Sequence, residues 1–215
     1  VAPPRKHETD VILDATRALV LADGPRAASV AAIAKASGAP AGTLYHRFGN
    51  RNGVVTAAWL RALERFQSLA MTREAEAPLD SAVAMAVAAV EFARDLPEDA
   101  RLLLSIRPSD LLDGEPDAAF RSTLDAMNAP LVDRLREVAR KLYGRSSSRT
   151  LDAVTRAVVD LPYAVVRRHA YDEQIPGWLE ADLAVAVRAM LTAYRPEVPL
   201  AGALQSGPWH LREVE

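Results

Sequence analysis

Residues 29–51, SVAAIAKASGAPAGTLYHRFGNR, carry the side chains best suited to grip a polyanion. Thr43, Tyr45, His46 and Arg47 place a hydroxyl, a phenol, an imidazole and a guanidinium on one short segment. These are the groups that contact phosphates and base edges. If the segment is a helix, its first N–H groups also point at any bound phosphate. Arg51 follows at the start of the next element, where its charge could sit on a nucleic-acid backbone. Ser29, Lys35 and Ala41 complete the candidate surface. The competing reading is that Tyr45 and His46 only cover a small domain.

Two short helices joined by a glycine turn can cross closely only if three positions are right. A small residue is needed where they touch, and Ala34 supplies it. Four residues on, the turn needs positive φ, which Gly38 tolerates. Six further on, Leu44 can plug the second helix into a core. Ile33 and Phe48 flank this set with more apolar surface.

Other chemistries find little support. The chain has no cysteine, so disulfides, thiolate metal sites and a cysteine nucleophile are excluded. His7, His46, His169 and His210 are scattered, with no pair at metal-ligand spacing. HExxH, GxSxG and a phosphate-binding glycine loop are all missing. The expectation is therefore no enzyme activity, no metal and no cofactor. Two rivals remain: an all-helical enzyme with a hidden carboxylate site, and a helical adaptor that binds proteins. The adaptor reading leaves Thr43 to Arg51 without a purpose.

The surrounding elements read as all-α. Forty-one of 215 residues are alanine, the best helix former. Apolar residues recur at helical spacing from about Glu8 to Asp23, where Gly24 ends the run. Ser29 is the expected N-cap of the next helix, which Gly38 ends. A short helix follows at about Ala41–Arg47. Asn50 should cap a long one reaching about Arg73, with Val54, Val55, Ala58, Trp59, Ala62, Leu63 and Phe66 as its stripe. Further helices are expected at about 79–96, 98–107, 117–143, 148–171 and 178–194. Pro130 and Pro162 should kink or divide theirs, because proline lacks the N–H donor and crowds the preceding turn. That makes about nine helices. Residues 196–215 read as a tail that Trp209 could anchor.

The net charge of −2 hides two unlike parts. Residues 1–52 carry seven basic and four acidic groups, a net +3, and the remainder carries −5. Such asymmetry points to a nucleic-acid-facing segment. Arg5 and Lys6 could add phosphate contacts from an arm. The longest uncharged apolar run, Ala82–Val90, is nine residues, against the ~20 a membrane-spanning helix needs. No apolar stretch backs Val1–His7, so no signal peptide and no membrane contact are expected, and the expected location is the cytoplasm.

The pattern resembles the TetR family of bacterial transcriptional regulators. The matching residues are the first helix ending in Asp23-Gly24, then Ser29, Ile33-Ala34, Ser37-Gly38 and Gly42-Thr43-Leu44-Tyr45-His46-Arg47-Phe48-Gly49-Asn50-Arg51. They span about residues 8–60. The family usually has lysine where Arg51 stands and often glutamate where Asn52 stands; arginine keeps the charge and adds donors.

The resemblance implies an N-terminal three-helix helix-turn-helix DNA-binding domain (1–52). A C-terminal helical ligand-binding and dimerisation domain (53–195) would follow, entered by a linking helix (53–73), with the tail after it. It implies a homodimer on a palindromic double-stranded DNA operator, most often a repressor, released when a small-molecule effector shifts the linking helix. Thr43, Tyr45 and Arg51 map onto the family's phosphate-contacting positions, and His46 and Arg47 onto positions that touch bases or backbone.

The remaining candidates come from helical stripes in the C-terminal part. Leu151, Val154, Val158, Leu161 and Val165 lie at spacings of three and four, as do Leu183, Val187, Met190, Leu191 and Tyr194. Two such helices per subunit would make a four-helix dimer interface. Candidate ligand-pocket walls are Trp59, Phe66, Met85, Phe92, Phe120, Met127, Tyr163 and Trp178. Arg94, Arg107, His169 and Tyr171 are the polar groups that could orient a ligand. An apolar effector, neutral or anionic, is expected.

Overall fold

The computed structural model describes residues 5–73, 75–106 and 118–196. Residues 107–117, which include Arg107, and 197–215, which include Trp209, lie outside it, as do the side chains of Arg5 and Lys6. The described residues are helical, with no strand among them.

Three helices build the head: α1 (Arg5–Asp23), α2 (Val30–Ser37) and α3 (Ala41–Phe48). A 3-10 turn, Pro25–Ala27, links α1 to α2. α2 starts where expected because the Ser29 hydroxyl accepts the Ala32 N–H at 3.1 Å, satisfying one of the unpaired amides of the first turn. The long helix α4 (Arg51–Met71) is capped in the same way, by the Asn50 side chain on the Gly53 N–H at 3.0 Å.

Five helices complete the body: α5 (Pro78–Asp95), α6 (Pro97–Ser105), α7 (Ala118–Tyr143), α8 and α9 (Leu179–Ala193). α8 is composite, with Ser148–Thr155, a π-turn over Arg156–Asp160, and Leu161–His169. α5 and α6 both open on proline, at Pro78 and Pro97, where the missing N–H costs no helix bond.

The two internal prolines behave differently. Pro130 lies within one uninterrupted α7, on its exposed side. Pro162 divides α8 as expected: the widened π-turn directly before it makes room for the ring and absorbs the lost hydrogen bond.

Two apolar clusters hold the molecule together. The head cluster gathers Ile12, Val20, Ile33, Leu44, Val54 and Val55, all nearly or fully buried. It also takes in Leu102 of α6 and Phe120 of α7. The body cluster centres on α5, whose residues from Ser81 to Ala93 are mostly buried. The apolar run Ala82–Val90 is thus the central helix of a bundle, apolar on several sides because neighbours cover it. Among the described residues no helix is long and apolar enough to cross a membrane.

Candidate nucleic-acid interface

The turn between α2 and α3 is built as its residues require. Gly38 sits at φ 71°, ψ 3°, the left-handed region that disfavours a side chain. The Ser37 hydroxyl donates to the Ile33 carbonyl at 2.7 Å and accepts from the Ala39 N–H. Leu44, 1% exposed, plugs α3 into the head core beside Ile33.

Plugging Leu44 inward turns the opposite side of α3 to solvent. Ala41, Tyr45 and His46 are exposed on α3, Tyr45 to 55%. Ser29 and Lys35 of the α2 segment are exposed as well. Pro40 precedes α3 and provides no side-chain cap, and the Thr43 N–H is bonded to the Pro40 carbonyl at 2.9 Å. The exposed side chains of α2 and α3 thus include a cation, a phenol and an imidazole. That combination can bind phosphate and read a groove.

The other predicted contacts are held closer to the protein. Thr43 and Arg47 are half-buried. Arg47 turns back to α1 and donates to the Thr9 hydroxyl at 2.9 Å. Arg51 donates to the Pro25 carbonyl and to Asn52 Oδ1, the latter at 2.9 Å. Its guanidinium therefore ties the α1–α2 connection to the start of α4.

Under the head lies a mostly apolar cavity of about 220 Å³. Five of the predicted wall residues line it: Trp59, Phe66, Met85, Phe92 and Tyr163. Leu63, Leu103, Leu104, Val158 and Val159 join them, with Gln67 as a polar side chain on the wall. Gln67 donates to Asn128 Oδ1 at 2.8 Å. The Trp59 Nε1–H donates to the Ile106 carbonyl and the Tyr163 hydroxyl to the Leu104 carbonyl.

The remaining pocket candidates fall elsewhere. Phe120 stacks edge-on against Trp59, with ring centroids 6.4 Å apart, inside the head core. Met127 faces a separate open groove beside α1 and α4. His169 pairs with Asp172 at 2.6 Å and packs against Trp178, which is 57% exposed. Arg94 pairs with Glu180, and Tyr171 is exposed and bonded to Ser105. Among the described residues no group of three or more His, Asp or Glu could hold a metal.

The predicted dimer stripes are mostly internal. Val154, Val158, Leu183, Val187 and Leu191 lie buried in the subunit's own core. Leu151, Leu161 and Val165 pack half-buried against it. Tyr194, also half-buried, meets Tyr143 edge-on with ring centroids 5.1 Å apart. Burial and the neighbouring Tyr194 push the Tyr143 phenol pKa up. Of the candidates only Met190 is exposed. The outward face of α9 instead carries Ala181, Val185 and Ala189 at spacings of four, with Val185 70% exposed. Periodicity finds an apolar stripe but cannot say which side of an alanine-rich helix the subunit itself covers.

One cluster has no counterpart in the sequence reading. Asp99 of α6, 1% exposed, accepts from Arg17 of α1 and from Arg65 of α4, the latter at 2.7 Å. Arg17 also reaches Glu98 at 2.6 Å and lies 3.4 Å from Asp14. Arg61 of α4 binds Asp14 and Asp10 at 2.5 and 3.0 Å. Burial works against the Arg17 charge, but the hydrogen bond and attraction from Asp99, then Glu98 and Asp14, raise its pKa overall. Glu98 and Asp99 also stand in the first turn of α6, where acids suit the helix dipole. Pairing across such sequence distances leaves no local signal.

Residues 12–58 match the family model described as bacterial regulatory proteins, tetR family. Solved structures of similar fold cover nearly the whole chain. A TetR-family transcription regulator from Marinobacter aquaeolei is 15% identical, covers 87% of this chain and 95% of its own, and has a TM-score of 0.67. The fatty acid degradation regulator FadR from Bacillus halodurans is 17% identical, with 89% and 97% covered and a TM-score of 0.65. The TetR-family regulator PfmR from Thermus thermophilus is 18% identical, with 84% and 97% covered and a TM-score of 0.63. No curated protein sequence matches the chain.

Proposed function

We propose that this chain, whose residues 12–58 match the tetR-family model, is a TetR-family transcriptional regulator that binds a palindromic operator as a homodimer through its helix-turn-helix head. In this reading it represses, and a small apolar molecule entering the cavity releases it. The observation that carries the DNA part is the exposure of Lys35, Tyr45 and His46 on α2 and α3. Lys35 and Tyr45 hold the phosphate backbone. His46 faces the groove. Arg47 and Arg51 act from behind, bracing α3 and α4, and Arg51 reaches phosphate from the rim of the same surface.

Ala41 and Gly42 are too short to read bases, so sequence preference draws on DNA shape as well as direct contacts. Effector release is a population shift: the molecule must fit the non-binding state better than the binding one. The apolar wall of the cavity favours a ligand rich in hydrocarbon surface, and one protein of similar fold is a regulator of fatty acid degradation. An ionised group buried there without a partner would be strongly disfavoured. The dimer forms through the exposed α9 face around Val185.

A gel shift with the DNA flanking the chain's own gene tests the reading. Specific, salt-sensitive retardation at a palindrome supports it. A chain that binds neighbouring promoters no better than random duplex overturns it.

A further inference from the structure

α6 is nine residues long and has two unlike faces. Ala100, Leu103 and Leu104 form part of the cavity wall. Asp99, on the same short helix, is buried between Arg17 of the DNA-binding head and Arg65 of the linking helix α4. Leu102 enters the head core directly. The cavity and the head thus share one element, whose head-facing side is held by the Asp99 ion pairs and by Leu102.

We propose that Asp99 is the positioning residue through which the occupied cavity turns the DNA-binding head. The proposal rests on the reading of the cavity as the control site. A molecule that displaces the α6 wall carries Asp99 with it. The Asp99 carboxylate is almost wholly out of water, so it holds its arginines rather than exchanging them for solvent. Arg17 then draws α1, and α1 carries the head core that seats α2 and α3. The arms from Arg17 to half-exposed Glu98 and Asp14 lie nearer solvent, which screens them. They support the arrangement without transmitting it. Arg61, bound to Asp10 and Asp14, keeps α4 and α1 together, so the head moves as one body.

The chain has no cysteine, so Ala36→Cys with Ser146→Cys gives one clean pair of labels, in the head and in the loop after α7. Nitroxide labels are attached and the labelled chain is diluted with unlabelled protein. The head-to-body distance is then measured by pulsed electron resonance with and without toluene, an apolar probe small enough for the cavity. The expected result is a shift in the parent of roughly 1–2 Å or more, the scale of helix movements in allosteric proteins. The shift is retained in Glu98→Gln and lost in Asp99→Asn. If Asp99→Asn does not fold, Arg17→Met with Asp99→Asn removes both charges of the pair together and is read in its place. A full shift in the Asp99 variants overturns the positioning role and leaves the cavity as control site. No shift in the parent overturns both.

Discussion

Arg17 and Asp99 form a buried ion pair although 82 residues separate them. The pair joins the first helix of the head to the helix that walls the cavity. Removing the carboxylate alone leaves a mostly buried guanidinium facing an emptied site. Loss of one partner of a buried pair costs about 3–5 kcal/mol, and Glu98 and Asp14 compensate in part. Asp99→Ala is therefore expected to lower the urea midpoint markedly. The double variant Arg17→Met with Asp99→Asn is expected to lose less than the sum of its single changes. Strict additivity in urea unfolding would show that the two residues do not interact.

Gly53 is a second position with a sharp expectation. It lies in the first turn of α4, and a Cβ there would fall onto the Phe48 backbone carbonyl. That carbonyl also accepts the Asn50 N–H at 2.9 Å, so it cannot easily give way. Gly53→Ala should destabilise the head by roughly 1–3 kcal/mol, as forced overpacking does. A thermal melt equal to the parent's would mean that the α3–α4 connection is more yielding than its geometry implies.

The head was largely legible in the residues themselves. Ser29, Gly38, Asn50 and Leu44 act through local rules of capping, left-handed turns and apolar spacing, and each sits where those rules put it. Pro162 also acted as expected, although Pro130 did not divide its helix. The body was less legible. Leu183, Val187 and Leu191 form a true stripe, but the subunit's own core covers it. The choice between the two faces of α9 depends on α5 packing against it, which no local pattern encodes. The same holds for Asp99, whose partners come from α1 and α4, and for Arg47, which turns back to Thr9.

The α9 face gives a direct test of assembly. Val185 is 70% exposed in the subunit. Val185→Asp should leave the subunit fold intact and raise the dimer dissociation constant at least about tenfold, as desolvating a charge in an apolar interface would. Sedimentation of parent and variant at micromolar concentration checks this. A variant that dimerises like the parent places the interface elsewhere. A parent that sediments as a monomer removes the dimer from the account.

Salt dependence of DNA binding tests the central claim most directly. The affinity of the parent for a palindromic duplex from its own promoter region is measured by fluorescence anisotropy over a range of salt concentrations. The same is done for Lys35→Ala and Tyr45→Ala. The account predicts that affinity falls steeply with salt in the parent. Lys35→Ala should shallow that slope by about one ion, since one phosphate contact is lost. Tyr45→Ala should weaken binding to the palindrome and to unrelated duplex alike. Parent affinity that ignores salt, or variants that bind both duplexes as the parent does, would contradict the assignment of this face of α2 and α3 to DNA.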